Sequence, residues 1–229
     1  MAQVTDQPPS ARFVRAGDYD PTSSVIERAR AVDASVLADP APFGLTALSL
    51  PLLALSLINI GAVKPTTLPV FLTTALIFGG LAQFVVAMWE VRRGNTFGVV
   101  AFGTFGCFNL AVWYFFNFGL TKIPQADHAA ALELFLGLWA IPAFILWVAS
   151  FRTTLVVNLI FMLATVLFVV AAIGNGEGSE TLVRISGWIG IALAAVAWYG
   201  CLAALTADTF ARALLPNPHL GKQAGVAER

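Results

Sequence analysis

The chain has 229 residues, 58% of them hydrophobic and 11% charged, with a mean hydropathy of +0.80. A soluble domain carries about 25% charged residues, so this composition belongs to an integral membrane protein and excludes a water-soluble globule. With 13 Lys and Arg balanced by 13 Asp and Glu, no global field draws in nucleic acid, and function has to come from local features.

Residues 1–38 mix Asp, Arg, Pro and Ser and hold no apolar core near Met1 of the kind a secretory signal needs. They read as a solvated, cytosolic N-terminal extension. Within it, SSVIERARAVDASVL (23–37) spaces Val25, Ile26, Ala29, Val32 and Val36 near a helical repeat, which fits a surface amphipathic helix or a tail with a transient turn.

DPAPFGL (39–45) opens the first apolar stretch. Asp39 reads as the helix cap and Pro40 as the first helical residue, where a missing N–H costs nothing; Pro42 is tolerated in the same turn. The N–H groups of Ala41, Phe43 and Gly44 are then among the unpaired donors at the positive end of the helix dipole, a place that attracts carboxylates. The same residues also fit an ordinary capped helix start.

A bilayer core about 30 Å thick takes roughly 20 apolar residues per helix. Six such stretches follow in order, at 43–63, 66–89, 96–118, 131–150, 153–173 and 185–207. No strand-like alternation recurs and lipid does not tolerate unsatisfied backbone, so the predicted fold class is an all-α integral membrane protein with six transmembrane helices. Residues 39–210 form the transmembrane domain and 211–229 a C-terminal tail. With both termini in the cytosol, ten Lys and Arg fall inside and only Lys64, Lys122 and Arg184 outside, which the positive-inside rule favours.

The second span carries Gln83 and Glu90, seven residues apart and so on one helical face. Glu90 lies at the cytosolic edge beside Arg92 and Arg93, where it fits an interfacial ion pair or a place on a substrate path. Gln83 is deeper and fits interhelical hydrogen bonding or pore lining. In RRGNTFG (92–98), Gly94 ends that span and Asn95 or Thr96 caps the next. Asn109 and Asn117 in the third span, Asn158 in the fifth and Asn59 near the end of the first complete the amide set. Glu133, one turn into the fourth span, suits a helix N-terminus. A tight turn around Arg152 makes spans four and five antiparallel neighbours, and IGNGEGSE (173–180) is a glycine-rich turn before the sixth. The pairs Gly79–Gly80, Gly103–Gly106 and Gly187–Gly190 suit close helix packing.

Cys107, Cys201, His128 and His219 form no ligand set at metal spacing. No nucleophile elbow, zincin helix or phosphate loop is present, which argues against an enzyme and against an ATP-driven pump. No metal or cofactor is expected. A channel or a secondary transporter remains.

DPAPFGL resembles the N-P-A-P-x-G-L signature of the acetate uptake transporter family. FGGLAQFVVAMWEVRRGNTFGVVAFGTFG (78–106) is similar to that family's F-G-G-x-x-Q, E-x-x-x-G-N-T-F-G and A-F-x-S-Y-G pattern, and LGLW (136–139), AIGN (172–175) and GWIG (187–190) follow in the expected order. The resemblance spans roughly 39–210. It implies a six-helix protomer in the plasma or inner membrane, assembled as a homohexamer. Each protomer would then carry acetate or a related short carboxylate, as a proton-coupled symporter or an anion channel. By the same resemblance Leu48, Phe105 and Ala164 line a constriction, while Gln83, Glu90, Asn95 and Thr96 carry over through the second motif. With residues 39–44 and Asn109, these are the candidate entry and binding positions. Asp39 stands where the family usually has asparagine, Phe105 replaces its tyrosine, Leu48 its phenylalanine and Ala164 its leucine. The neck should therefore be wider and admit acids larger than acetate, such as lactate, propionate or succinate. The rival expectation is a carboxylate-sensing membrane regulator without substantial flux.

Overall fold

A computed structural model describes residue 25 and residues 37–221. Nearly all of the N-terminal extension, including its candidate surface helix at 23–37 apart from Val25 and Leu37, lies outside the described residues, as do Lys222 and Arg229. Among the described residues, six helices are long and apolar enough to cross a membrane: α1 (Ala41–Asn59), α2 (Pro65–Arg93), α3 (Thr96–Lys122), α4 (Gln125–Arg152), α5 (Leu155–Gly176) and α6 (Glu180–Thr209). The chain is a multi-pass, all-α membrane protein. We call the end of the bundle where α1, α3 and α5 begin proximal, and the other end distal.

α2, α3, α4 and α6 outrun their apolar windows, whereas α1 ends at Asn59, short of 63, and α5 starts at Leu155, after 153; caps rather than hydropathy set several of these ends. Ser179 accepts from the Leu182 N–H at 3.4 Å and starts α6 five residues before its apolar stretch. α2 ends where Gly94 takes a left-handed conformation at φ +69°, and the Asn95 N–H returns to the Glu90 carbonyl at 3.0 Å. That bond closes a Schellman turn. Midway, Ala75–Ala82 of α2 is wound as a π-helix, a local widening that often accompanies functional sites.

α4 packs along α5, α5 along α6, and α6 along α1, while α2 pairs with α3 and touches α1. The antiparallel α4–α5 pair expected from the turn at Arg152 is present. Small residues set the closest approaches. A Cβ on Gly79 would lie 2.6 Å from Asn109 Cγ and 2.9 Å from Pro51 Cγ, and one on Gly187 would lie 2.7 Å from Ile60 Cγ2. These glycines serve helix contact, because packing in lipid depends on backbones coming close. The central core joins α3, α4, α5 and α6 through Phe105, Leu146, Phe161, Phe168 and Leu193.

Past α6 the chain turns back. Tyr199 Oη donates to the Pro216 carbonyl at 2.7 Å, the Leu155 N–H to the Pro218 carbonyl at 2.8 Å and the Leu220 N–H to the Thr153 carbonyl at 2.9 Å. Residues 216–221 thus lie as a strap over the α4–α5 turn.

Candidate functional site

Two cavities lie end to end among α1, α2, α3 and α5. The proximal one, about 130 Å³, is bounded by Ala41, Leu45, Gln83, Glu90, Asn95 and Phe161, among others. The distal one, about 260 Å³, adds walls from α4 and α6 and includes Asn59, Asn109, Phe135, Ala164, Asn175 and Ser186. Leu48 from α1, Phe105 from α3 and Ile160 from α5 border both. Three helices therefore each contribute one apolar side chain to the wall that the two chambers share. Both chambers hold well more than the roughly 10–15 Å³ that one water requires.

Leu48 and Phe105 are where the resemblance places a constriction. Ala164 lies one turn further along α5 and borders the distal cavity only, whereas Ile160 borders both. Nothing in a run of apolar α5 residues distinguishes Ile160 from Ala164; only the rotation of the helix against α1 and α3 does. Phe105 is held by Phe161, with ring centroids 5.9 Å apart, and by Phe168 at 6.2 Å.

The start of α1 corrects the sequence expectation. Pro40, not Asp39, is the N-cap, and Ala41 is the first helical residue. Proline's fixed φ already suits the helix, so the turn closes from the Gly44 N–H to the Pro40 carbonyl at 3.1 Å. Asp39 Oδ1 accepts from the Ala41 N–H, also at 3.1 Å. Two of the three N–H groups expected to be free, those of Ala41 and Gly44, are thus engaged. Pro42 has no N–H, and Phe43 is exposed. Asp39 also forms an ion pair with Arg93.

Glu90 is not in an interfacial ion pair. It is fully buried, borders the proximal cavity and accepts through Oε2 from Asn95 Nδ2 at 2.9 Å. Arg93 turns to Asp39 instead. Asn95 serves three contacts at once. Its N–H closes the end of α2, its Oδ1 accepts from the Gly98 N–H at 3.1 Å to cap α3, and its amide nitrogen holds Glu90. Thr96 is exposed and borders neither cavity. Gln83, 1% exposed, donates through Nε2 to the Gly44 carbonyl at 3.3 Å. Asn109 donates to the Phe105 carbonyl at 2.9 Å. Each of these amides gives a hydrogen to the protein.

The comparisons with known proteins agree with this arrangement. Residues 23–221 match the model of the GPR1/FUN34/yaaH family. The chain is 33% identical over 183 residues to the succinate-acetate/proton symporter SatP of Escherichia coli strain K12, covering 79% of this chain and 95% of that protein. It is 30% identical over 205 residues to acetate permease A of Emericella nidulans, covering 83% of this chain and 69% of that one. Among solved structures, the bacterial acetate channel SatP superposes with a TM-score of 0.74 at 31% identity, over 80% of this chain and 99% of that chain. With six apolar helices, paired chambers and family motifs in order, this chain belongs to the GPR1/FUN34/yaaH family.

Proposed function

We propose that the protein carries acetate and related short carboxylates across the membrane along one path per protomer. The path runs from the proximal cavity through the neck of Leu48, Phe105 and Ile160 to the distal cavity. The observation that carries the proposal is the sharing of these three side chains by two chambers stacked along the bundle. An apolar neck strips water from whatever passes and is costly for a bare charge, which makes it a selectivity element for small, partly apolar solutes. The names of the relatives, which include a symporter, a permease and a channel for acetate, support a transporter rather than an enzyme.

The proximal end faces the cytosol in this reading. Arg92, Arg93, Arg152 and Arg212 gather there, against Lys64, Lys122 and Arg184 at the other end. The cell membrane is the proposed location and a homohexamer the proposed assembly. Ala164 in the distal wall supports passage of acids larger than acetate, since a larger residue there would take up chamber volume.

Labelled acetate uptake into proteoliposomes tests the proposal. The wild-type protein should exceed protein-free vesicles, and Ile160→Trp should bring uptake close to their level. Equal uptake by wild-type and empty vesicles would overturn it.

A further inference from the structure

The distal chamber reaches the distal end of the bundle, where Asn59, the last residue of α1, and Asn175, in the last turn of α5, stand in its wall. From α4 the wall takes Leu132 and Leu136, and Glu133 shares their side of the helix. The Glu133 side chain crosses to the end of α5 and lies over Gly176. A Cβ on that glycine would stand 2.5 Å from Glu133 Cδ and 3.0 Å from Glu133 Cβ, so no larger residue fits at 176 unless the carboxylate moves. The bare backbone there seats a negative charge next to Asn175, on the rim of the chamber and just outside its wall.

The wall does not cancel this charge. It holds no charged residue, and its polar members are Ser56, Asn59, Asn109, Asn175 and Ser186. Glu133 is exposed and forms no ion pair among the described residues. At the distal end Asp127, Glu133, Glu177 and Glu180 outnumber Lys64, Lys122 and Arg184. The proximal rim differs, because Arg93 there neutralises Asp39.

We propose that Glu133 is a specificity-determining residue that lets monocarboxylates through the distal mouth and holds back dicarboxylates. This rests on the carboxylate-transport reading above and narrows it: the longer acids for which Ala164 leaves room are those with a single charge. A fixed charge at a mouth repels every anion, but the Coulomb energy scales with the charge of the visitor, so a dianion meets twice the repulsion that acetate meets. The apolar walls behind the rim focus that field into the path. Size alone would not draw the line here. Butyrate lengthens the chain without adding charge and escapes the penalty that succinate carries.

The test is competition uptake of labelled acetate and labelled succinate into proteoliposomes, at a pH where succinate carries both charges and with correction for protein-free vesicles. Flux in either direction crosses the distal mouth, so mixed insertion of the protein does not alter the reading. The wild-type protein should prefer acetate at low ionic strength, and the preference should shrink in about 1 M potassium chloride, where the Debye length is about 3 Å. Glu133→Gln keeps the shape and removes the charge, and should raise succinate uptake relative to acetate about three- to tenfold at low salt. Glu133→Lys should raise it further. A ratio unchanged in both variants, or a gain that survives high salt, would overturn the inference and leave the transport reading standing. A wild-type ratio that ignores salt would overturn it without any variant. No flux of either acid above protein-free vesicles would overturn both.

Discussion

Asp39 and Arg93 are an ion pair that ties the entry of α1 to the last turn of α2 at the rim of the proximal end. Their side chains are 48% and 29% exposed, so water screens the attraction and its net contribution is under about 1 kcal/mol. Its more important effect is to cancel the positive charge of Arg93 at the rim. Asp39→Asn keeps an oxygen for the Ala41 N–H and frees Arg93. We expect thermal stability within about 1 kcal/mol of wild type and acetate uptake about two- to fivefold faster at low ionic strength. The gain should vanish in high salt, where the Debye length shrinks to about 3 Å. A gain that survives high salt would point to a change in the path instead of the field.

In the proposed path the neck sets which acids pass. Ile160→Val removes one methyl and should cost about 0.5–1.5 kcal/mol of stability, while Ile160→Ala should cost about 2–5 kcal/mol. Both should raise butyrate uptake relative to acetate, by about tenfold in the alanine variant, as expected for one or two methylene groups in an apolar pocket. Competition uptake with the two labelled acids reads the ratio. Ala164→Leu should lower it, because added volume in the distal chamber hinders the larger acid first. An unchanged ratio in all three variants would remove α5 from the selectivity element.

Asn95 joins helix capping to the chamber, and two substitutions separate these roles. Asn95→Ser keeps an acceptor for the Gly98 N–H but loses the donor to Glu90. Asn95→Ala loses both. The alanine variant should therefore be less stable than the serine variant by about 1 kcal/mol, the usual contribution of an N-cap. Both should impair transport alike, because both leave Glu90 Oε2 without its partner. Transport retained by serine and lost by alanine would make Asn95 a cap alone. The comparison needs thermal melting in detergent alongside uptake.

The C-terminal strap supplies acceptors to the first turn of α5. The Pro218 carbonyl takes the Leu155 N–H at 2.8 Å and Asn217 Oδ1 takes the Val156 N–H at 3.3 Å, donors that a helix start leaves unpaired. Truncation after Leu215 should speed hydrogen exchange at Leu155 and Val156 and cost about 1–3 kcal/mol. Asn217→Ala should cost about 1 kcal/mol. Since Val157 and Ile160 on the same helix border the proximal chamber, truncation should also slow acetate uptake. Unchanged exchange at 155–156 would show that the strap does not hold α5.

What the amino-acid sequence determined by itself was the architecture and much of the chemistry. Runs of about 20 apolar residues leave a membrane chain no alternative to helices. Gln83 and Glu90 stood out because a polar side chain in lipid must serve something, and seven residues put both on one face. Motif order further pointed to Leu48 and Phe105, which border both chambers. What the tertiary structure alone decided were relations across helices. Glu90 had two candidate partners in sequence, Arg92 and Arg93, and meets neither; the Schellman turn at Gly94 brings Asn95 to it, and Arg93 goes to Asp39. Pro40 and Asp39 satisfy donors of the α1 start that sequence alone leaves free. Ile160, rather than Ala164, borders both chambers because helix rotation is set by packing, which no composition or spacing along an apolar helix encodes. The strap at 216–221 has no periodic pattern at all; its bonds are to backbone groups, and these become available only when α4 and α5 have already turned at Arg152.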